Sequence, residues 1–303
     1  IKKRYKVVVV SSAMGGDTNK LVKLSREISS SFVASEYDTL VSAGEQVSCS
    51  LIAACLTDLG YTSRSWLGWQ IPIVTQGNYS NSRIINIKKN NILKFLKNGG
   101  TPIIAGFQGI NFNNRITTIG RGGSDASAIM VAKFFKAERC IIYTDVDGIY
   151  TTDPRVVPKA KKIKKISYEE MLEMASLGAK VMQPHSIQYA RLNRIDIEVR
   201  SSFKNITGSL ITKRKNISTR NTIRGVSFTK NDAKITLLGV RDRPGVAASI
   251  FEPLFKNSIN VDMVVQNISS NKKETDLTFT IKNDDLAKTE KLLKKNKKIS
   301  FKK

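Results

Sequence analysis

Apolar positions along the first two thirds of the chain alternate between short uninterrupted runs and helical repeats. Uninterrupted runs that begin at Lys6, Thr101 and Cys140 are typical of parallel strands covered on both faces. Helical repeats lie between and after these runs, at residues 21–28, 37–59, 88–97, 168–177 and 180–192. The 37–59 repeat is interrupted at Gly44 and is otherwise interpreted as one long buried helix. Strands alternating with helices predict an α/β domain of three layers.

A second pattern follows a change in composition after residue 212. Residues 213–221 are polar and basic and predict a linker, and residues 222–228 predict a strand. The remaining elements are predicted as a strand at 234–240, a helix at 246–255, strands at 259–267 and 274–282, and a helix at 284–294. The order β-α-β-β-α is that of a ferredoxin-like module without its last strand. The predicted domains are 1–213 and 234–303, with 214–233 as linker plus strand.

Composition excludes several classes of protein. The chain has 303 residues with 41% hydrophobic content, enough for about two domains. We find no apolar run of membrane-spanning length and no signal peptide, and we expect a cytoplasmic protein without membrane contact. The formal charge of +25 is spread along the chain without interleaved aromatic residues, which disfavours nucleic acid as a partner and favours small acidic metabolites.

The cysteines and the histidine do not show the pattern of a metal site. Cys49, Cys55 and Cys140 lack the spacing of metal ligands and lie in apolar contexts, so we expect buried, reduced thiols. The only histidine, His185, has no cysteine or second histidine partner, and a structural role is favoured for it.

The stretch from Thr117 to Asp125 contains three glycines and precedes a run of small and apolar residues. Glycines allow positive φ angles and close approach of a ligand, and the N–H groups at a helix start attract anions. Arg121 adds a bidentate donor, while Ser124 and Asp125 stand where a helix cap is expected. The stretch predicts a cradle for phosphate or carboxylate; an ordinary glycine-rich turn with a Ser or Asp cap is the alternative.

Other candidate residues have two interpretations each. Ser12 and Thr18 follow the first predicted strand, where α/β folds bind ligands, but they also suit a turn and a helix cap. Glu45 lies in an apolar stretch and needs a partner, either a ligand amine or a neighbouring cation. Of the aspartates after the third run, Asp145, Asp147 and Asp153, at least one is expected to be a turn residue.

Several motifs together exceed what chance would give. In chain order they occupy residues 12–15, 42–45, 106–109, 118–125, 144–155, 178–180, 199–203, 242–245 and 260–267. In this order the motifs resemble those of the aspartate kinases, members of the amino-acid kinase family that carry C-terminal ACT regulatory domains. The resemblance covers nearly the whole chain. It implies a three-layer, carbamate-kinase-like kinase domain followed by a ferredoxin-like ACT module.

The resemblance implies phosphorylation of the side-chain carboxylate of L-aspartate by ATP with Mg²⁺, the first step towards lysine, threonine and methionine. It places Asp125 and Arg121 in the catalytic machinery, with Arg121 on the substrate α-carboxylate and Glu45 on its ammonium group. Thr18, Phe107 and Ser124 complete the implied aspartate pocket. The implied nucleotide site comprises Ser12, Thr144, Asp145, Tyr150, Arg155 and Lys180.

The resemblance also implies feedback inhibition by lysine, threonine or both, bound between ACT modules of a homo-oligomer. The implied effector residues are Asp242, Pro244, Gly245, Ala247, Asn260, Asp262 and Gln266. A plain β-α turn and an ordinary strand are the alternative for these positions.

Two departures from the family pattern lead to further expectations. The family begins with a strand and a Lys-Phe-Gly-Gly loop carrying a catalytic lysine, and it ends with a second ACT unit. Neither is found, so we expect a chain truncated at both ends and inactive if the loop is missing, with residues 222–228 as an open strand edge. A non-catalytic, amino-acid-binding regulatory subunit is the alternative. Kinases of glutamate, acetylglutamate or UMP are disfavoured by the ACT module and by residues 42–45.

Overall fold

The chain forms two compact units, residues 1–227 and residues 228–303. The structure is a computed structural model that describes residues 5–179, 181–213, 223–241, 243–268, 274–296, 299 and 301–302. Each unit is considered by itself.

The first unit alternates strands and helices along the chain. Its described strands are β1 (Val9–Ser11), β2 (Ser63–Trp66), β3 (Ile73–Gln76), β4 (Arg83–Ile87), β5 (Thr101–Ala105), β6 (Gln108–Ile110), β7 (Ile116–Thr118), β8 (Cys140–Thr144), β9 (Lys165–Ser167), β10 (Ile197–Ser201) and β11 (Ser209–Thr212). Its described helices are α1 (Asp17–Ile28), α2 (Ala34–Val41), α3 (Ala43–Asp58), α4 (Asn90–Lys97), α5 (Gly123–Phe135), α6 (Tyr168–Ser176) and α7 (Pro184–Asn193).

A parallel sheet of order β1-β5-β2 is covered by helices on both faces. Side chains alternate across a strand, so neighbouring residues of β5 enter different cores. Ile103 and Ala105 pack with Cys49 and Ala53 of α3. Ile104 packs on the other side, in a cluster with residues of α4 and α5. This arrangement gives the three layers that the sequence pattern predicts.

Two mixed sheets complete the first unit. One has the order β4-β3-β6-β7, and the other has the order β8-β10-β11-β9, in which β8 and β10 are parallel. The second sheet shares a core with α5, α6 and α7, centred on fully buried Ile129, Ile166, Met171 and Ile197. α6 begins with a capping box, in which Ser167 and Glu170 bond to each other's backbone N–H groups.

The second unit has the order β-α-β-β-α, as predicted. Its described elements are β12 (Asp232–Arg241), α8 (Val246–Lys256), β13 (Val261–Ile268), β14 (Glu274–Lys282), a 3₁₀ helix (Asn283–Asp285) and α9 (Leu286–Lys295). The antiparallel sheet has the order β12-β14-β13 and packs its inner face, with fully buried Phe279, against Ile250 and Leu254 of α8.

The interpretation of residues 37–59 as one buried helix is wrong in two respects. The segment forms α2 and α3, which are separated at Ser42 rather than at Gly44. Only one face of α3 packs on the sheet, so that Val47 and Leu51 are 50% and 53% exposed. Cys55 is exposed for the same reason, which corrects the expectation of three buried thiols, whereas Cys49 and Cys140 are buried.

The predicted strand at 222–228 is also wrong for the residues that the structure describes. Residues 223–228 are not in a strand. Instead, the N–H of Val226 donates to the carbonyl of Thr151 at 2.7 Å, and Arg224 forms an ion pair with Glu170. The segment is therefore fixed by its contacts with the first unit. The proposed linker at 213–221 lies almost entirely outside the described residues.

The expectation that no segment could span a membrane also needs correction. By length and composition alone, the helical segment Ala34–Asp58 qualifies as a membrane span. Core helices of proteins without membrane contact pass the same test. This segment carries two buried carboxylates, Asp38 and Glu45, and charged groups are costly in lipid. Packing on the parallel sheet accounts for the apolar residues on the buried face of α3.

A fully buried carboxylate in α2 joins three parts of the first unit. Asp38 Oδ2 accepts from the backbone N–H groups of Ser80 and Thr118, at 2.8 and 2.7 Å. Its Oδ1 accepts from the hydroxyl groups of the same two residues, at 2.7 and 3.0 Å. Asp38 thereby connects α2 with β7 and with the segment before β4. No local pattern in the sequence distinguishes Asp38 from an exposed helix residue.

We expect Asp38→Asn to lower the free energy of unfolding of the first unit by about 3 kcal/mol, because its NH₂ group would face donors that the carboxylate now satisfies. Urea unfolding followed by tryptophan fluorescence measures this, since both tryptophans, Trp66 and Trp69, lie in this unit. Glu36→Gln is the control: Glu36 is exposed on the same helix, pairs with Arg115, and should contribute less than about 1 kcal/mol. Equal effects of the two substitutions would contradict this role of Asp38.

Candidate active site

The candidate site lies at the carboxyl ends of β1 and β5, where three segments meet. The N–H of Gly106 donates to the carbonyl of Ser11 at 2.9 Å and so continues the pairing of the two strands. A Cβ atom at Gly106 would lie 3.0 Å from both the Ser11 carbonyl oxygen and the Cβ of Ser124. A side chain here would push these neighbours apart, so glycine favours the close approach of the start of α5 to the strand ends.

The glycine-rich stretch forms a loop and then the start of α5, as predicted. Gly120 and Gly122 have φ angles of 83° and 70°. Phe107 also has a positive φ, 63°, and its N–H donates to Ser127 Oγ of α5 at 3.0 Å. Gly123 lies against the Phe107 ring, at a distance that leaves no room for a Cβ atom. Phe107 and Ser124, both expected in the aspartate pocket, are therefore neighbours of the same turn.

Glu45, in the first turn of α3, is 4% exposed and only half satisfied. Its Oε1 accepts from the N–H of Ala13 at 3.2 Å, whereas its Oε2 has no hydrogen-bond partner among the described residues. Burial raises the pKa of Glu45 to about 7 against the opposing effect of backbone hydrogen bonds. A buried carboxylate oxygen without a donor is costly and fits a cationic group supplied by a ligand.

The loop after β1 is held close to Glu45. A Cβ atom at Gly44 would lie 2.8 Å from that of Ala13, so glycine permits the contact between α3 and this loop. Ser48 of α3 donates to the carbonyl of Ser12, and its hydroxyl lies 2.7 Å from that of Ser11. Ser12 is thereby fixed through its backbone while its side chain is exposed. Ser48 was missed by the sequence analysis.

Asp125 occupies the first turn of α5. Burial raises the pKa of Asp125 to about 6. No hydrogen bond to its carboxylate is formed by the residues that the structure describes. Cys140, the first residue of β8, has a pKa raised to about 12. Burial is the larger cause, and the negative charge of Asp125 is the smaller one. Asp125 is thus a partly desolvated carboxylate between the strand ends and β8.

Arg121 is exposed on the glycine loop and forms no ion pair with a described carboxylate. The loop itself is held by the start of α7. Ser186 Oγ donates to the carbonyl of Gly122 at 3.0 Å, and His185 hydrogen-bonds to the backbone of Arg121. The His185 ring also packs edge-on against Tyr189, which accords with the structural role favoured for it. The backbone of the loop is fixed while the guanidinium of Arg121 remains available.

A second group of predicted residues follows the carboxyl end of β8. Thr144 donates to Asp145 at 3.1 Å. Arg155 makes a two-point ion pair with Asp153. This pair raises the pKa of Arg155, and the charge of Asp145 adds a smaller effect in the same direction. Thr144, Asp145 and Arg155 are thus near one another. Asp153 pairs within its own turn, as expected for at least one of the three aspartates.

Asp147 and Tyr150 belong to the same loop. Asp147 pairs with Lys204 at 2.9 Å, and the hydrogen bond from Lys204 lowers the pKa of Asp147. Tyr150 forms an isolated bridge with Lys162 and contributes to the raised pKa of Lys204, after the larger effect of Asp147. Asp147 is thus paired through its side chain, whereas Tyr150 is held through its backbone.

Two predicted residues are not brought to the site by any contact described above. Thr18 lies in the first turn of α1, whose Leu21 packs near Gly44. Lys180 lies outside the described residues.

The predicted effector residues that the structure describes do not gather at one end of the second unit. Residues 244, 245 and 247 follow the carboxyl end of β12, and the start of β13 lies at the opposite end of the sheet. Gly245, with a φ of 84°, precedes α8, and Pro244 and Ala247 beside it are exposed. Asn260, Asp262 and Gln266 are exposed at the start of and along β13, which is an edge strand. Asp242 is not among the described residues.

Each of the two units matches a known protein family. Residues 1–201 match the amino acid kinase family and residues 235–296 match the ACT domain. The chain is 44% identical to an aspartate kinase of Pseudomonas putida over 288 residues, which are 95% of this chain and 70% of that protein.

Solved structures give the same result. The aspartate kinase from Synechocystis has 37% identity and a TM-score of 0.61, over 95% of this chain and 49% of that one. Aspartokinase III of E. coli has 28% identity over 94% of this chain and 65% of that one. Its TM-score is 0.69 for the complex with aspartate and ADP and 0.72 for the complex with lysine and aspartate.

The fold and the glycine loop at the strand ends are those of an amino acid kinase joined to an ACT domain. The chain belongs to the aspartate kinases of that family. Both the predicted fold class and the resemblance are confirmed. The chain spans 70% of the Pseudomonas protein and about half of the Synechocystis chain.

The buried Glu45 predicts a specific dependence of stability on pH. The pKa of this group is about 7 in the folded chain and has its ordinary value of 4.5 in the unfolded one. The folded chain therefore keeps a proton that the unfolded chain loses, and stability is lost as the pH rises from 4.5 through 7.

The glutamine side chain of Glu45→Gln cannot ionise, so this variant does not lose stability as the pH rises. In the absence of ligand, we expect the variant to exceed the parent chain by up to about 3 kcal/mol above pH 7, with the difference shrinking on acidification. Urea unfolding of both proteins across this pH range measures the difference. A difference that does not change with pH would contradict the burial argument.

Proposed function

We propose that this chain phosphorylates the side-chain carboxylate of L-aspartate with ATP, giving 4-phospho-L-aspartate and ADP. The observation that carries the proposal is the unpartnered Oε2 of buried Glu45, at the strand ends where the glycine loop presents an unpaired Arg121. One site thus offers an anion and a cation without partners among the described residues. An amino acid is a ligand with the complementary pair of charges.

Each end of the substrate has a matching group. Its ammonium group supplies the donor that Glu45 Oε2 lacks, and a cation there favours the ionised form of Glu45. Its α-carboxylate suits the planar, two-point donor geometry of Arg121. Thr18, Phe107 and Ser124 are proposed to complete the pocket. This arrangement leaves the side-chain carboxylate of the substrate directed away from Glu45 as the group that reacts.

Asp125 is proposed as the catalytic carboxylate between substrate and nucleotide. Its burial and its position in the first turn of α5 support this role, because they leave a partly desolvated negative charge beside the helix start that is proposed to bind anions. Phosphoryl transfer depends mainly on positioning and on neutralising charge, so the role of Asp125 is to orient the reacting groups rather than to form a bond.

The loop after β8 is proposed to bind ATP, as E. coli aspartokinase III binds ADP. Thr144, Asp145, Tyr150 and Arg155 would contact the nucleotide, together with Ser12 and Lys180. No group of three or more His, Cys, Asp or Glu suited to a metal occurs among the described residues. This donor set fits a Mg²⁺ ion that is held mainly by phosphates and water and neutralises their charge.

The ACT domain is proposed to bind an end-product amino acid, since E. coli aspartokinase III binds lysine. Pro244, Gly245, Ala247, Asn260, Asp262 and Gln266, with Asp242, are the proposed effector residues. Lysine, threonine or both are proposed as effectors. β13 is an edge strand with 48% and 50% exposure at Met263 and Val264, which suits pairing of two ACT modules in a homo-oligomer. We place the enzyme in the cytoplasm.

A second candidate function is a regulatory subunit that binds amino acids without transferring phosphate. The two raised pKa values, at Glu45 and Asp125, favour the kinase. Carboxylates kept desolvated at a strand-end site are typical of catalytic machinery.

Acyl phosphate formation, trapped with hydroxylamine, tests the proposal directly. The assay is run on this chain and on a version preceded by a strand and a Lys-Phe-Gly-Gly loop. We expect aspartate- and ATP-dependent product from at least one of them. Asp125→Asn should reduce the rate by at least about 100-fold, because this carboxylate positions the reacting groups. Adding lysine or threonine tests feedback in the same assay.

Glu138→Gln is the matched control, since Glu138 is an exposed carboxylate just beyond the other end of α5. Its rate should equal that of the parent, and circular dichroism should show that the Asp125 variant is folded. A protein that binds aspartate but yields no hydroxamate in either form would instead be the regulatory subunit.

A further inference from the structure

The first unit has an open cavity of about 500 Å³, and none of the candidate site residues that the structure describes lines it. It lies between β2, the segment after it and α4. Trp66, Trp69 and Phe95 supply aromatic walls, and Arg64 and Lys94 supply positive charge. The remaining lining residues are carboxamides such as Gln70, and no acidic residue lines the cavity in the part of the chain that the structure describes. The volume is within the range of small-molecule sites, roughly 300–1,000 Å³.

Trp66 provides a donor without an acceptor. The residue is 5% exposed, and its ring lies beneath the Arg64 guanidinium, 4.2 Å from ring centroid to Cζ. Its ring also meets Phe95 edge-on, at 6.0 Å between centroids. Its Nε1–H has no hydrogen-bond partner in the described part of the chain. Buried indole N–H groups usually have a partner, so this wall lacks an acceptor.

The two positively charged side chains at the cavity, Arg64 and Lys94, also lack partners of opposite charge among the described residues. Neither Arg64 nor Lys94 forms an ion pair with a described carboxylate. Arg64 stacks on Trp66 with one face, and such stacking leaves the N–H groups at the guanidinium edge available to an anion. Lys94 adds a charge from the last turn of α4. The lining therefore combines flat apolar walls with positive charge and an unused donor.

We propose that this cavity binds a small anion carrying a planar aromatic ring. The ring packs against Trp69 and the Trp66 wall, and the carboxylate or phosphate group lies between Arg64 and Lys94. An acceptor atom of the ligand satisfies Trp66 Nε1–H. This site is separate from the proposed aspartate and nucleotide sites and does not depend on the proposed function.

The segment that forms the cavity also contacts the candidate active site. A Cβ atom at Gly68 would lie 3.2 Å from the Gln108 carbonyl oxygen, so the segment packs closely on the residue after Phe107. Gln108 Nε2 in turn donates to the carbonyl of Ser42 at 3.0 Å, close before Glu45. A ligand that orders Trp69 and Gln70 thus acts on a segment adjoining the substrate residues.

Tryptophan fluorescence is a specific probe of this cavity, because the chain has two tryptophans and both line it. The probe is phenyl phosphate, with benzoate to test a carboxylate head group. Cyclohexyl phosphate lacks the aromatic ring, phenol lacks the charge, and inorganic phosphate lacks any ring. We expect saturable changes with phenyl phosphate or benzoate and at least about tenfold weaker binding of the other three.

Two lysine variants of α4 localise the site. Lys94→Gln should weaken binding by about tenfold, because Lys94 lines the cavity. Lys97→Gln makes the same change of charge one turn later, on a residue that does not line the cavity, and should leave binding unchanged. No saturable change with either aromatic anion, equal binding of a non-aromatic control, or equal weakening by the two variants would overturn the proposal.

Discussion

The candidate site depends on the backbone hydrogen bond between Gly106 and Ser11, which continues the pairing of β1 with β5 beyond the strands. The absence of a side chain at Gly106 allows the start of α5 to approach this pair, with Ser124 in contact. Gly44 similarly permits the loop after β1 to lie against α3. Close backbone contacts at two glycines therefore bring Glu45, Phe107 and the glycine loop to the same strand ends.

Three carboxylates in the first unit differ in how far the protein satisfies them with hydrogen bonds. Asp38 accepts four hydrogen bonds and serves to connect α2, β7 and the segment before β4. Glu45 has one buried oxygen without a partner, whereas Asp125 is partly exposed and accepts no hydrogen bond from the described residues. Burial raises the pKa of both of these groups. A buried carboxylate that serves only the fold is normally satisfied, as Asp38 is, so the unpartnered oxygen of Glu45 is the one that favours a ligand.

Much of the fold could be predicted from the sequence, because long apolar runs and glycine turns are local signals. β14 agrees with prediction residue for residue, and α8 differs by one residue. β6, β7 and β9 were missed, since three residues are too few to establish a period. Residues 222–228 resembled a strand, yet Arg224 and Val226 are held by long-range contacts that no local pattern reveals.

The candidate site was predictable to a lesser extent. Glu45 was recognisable because a carboxylate is unusual within an apolar stretch, whereas Asp38 follows polar residues and has the appearance of a solvated helix position. Its burial arises from Ser80 and Thr118, which are distant in sequence. The positive φ of Phe107 and the support of the glycine loop by Ser186 also result from tertiary contacts. The roles assigned to Arg121 and Asp125 came from resemblance to the family.

The central claim is that Glu45 and Arg121 recognise the two charges of an amino acid. Calorimetry with L-aspartate and with succinate, which lacks only the amino group, tests it most directly. The account predicts that the parent chain prefers aspartate by at least about tenfold and that Glu45→Gln abolishes this preference. An undiminished preference for aspartate in Glu45→Gln would show that another group binds the ammonium and would contradict the account.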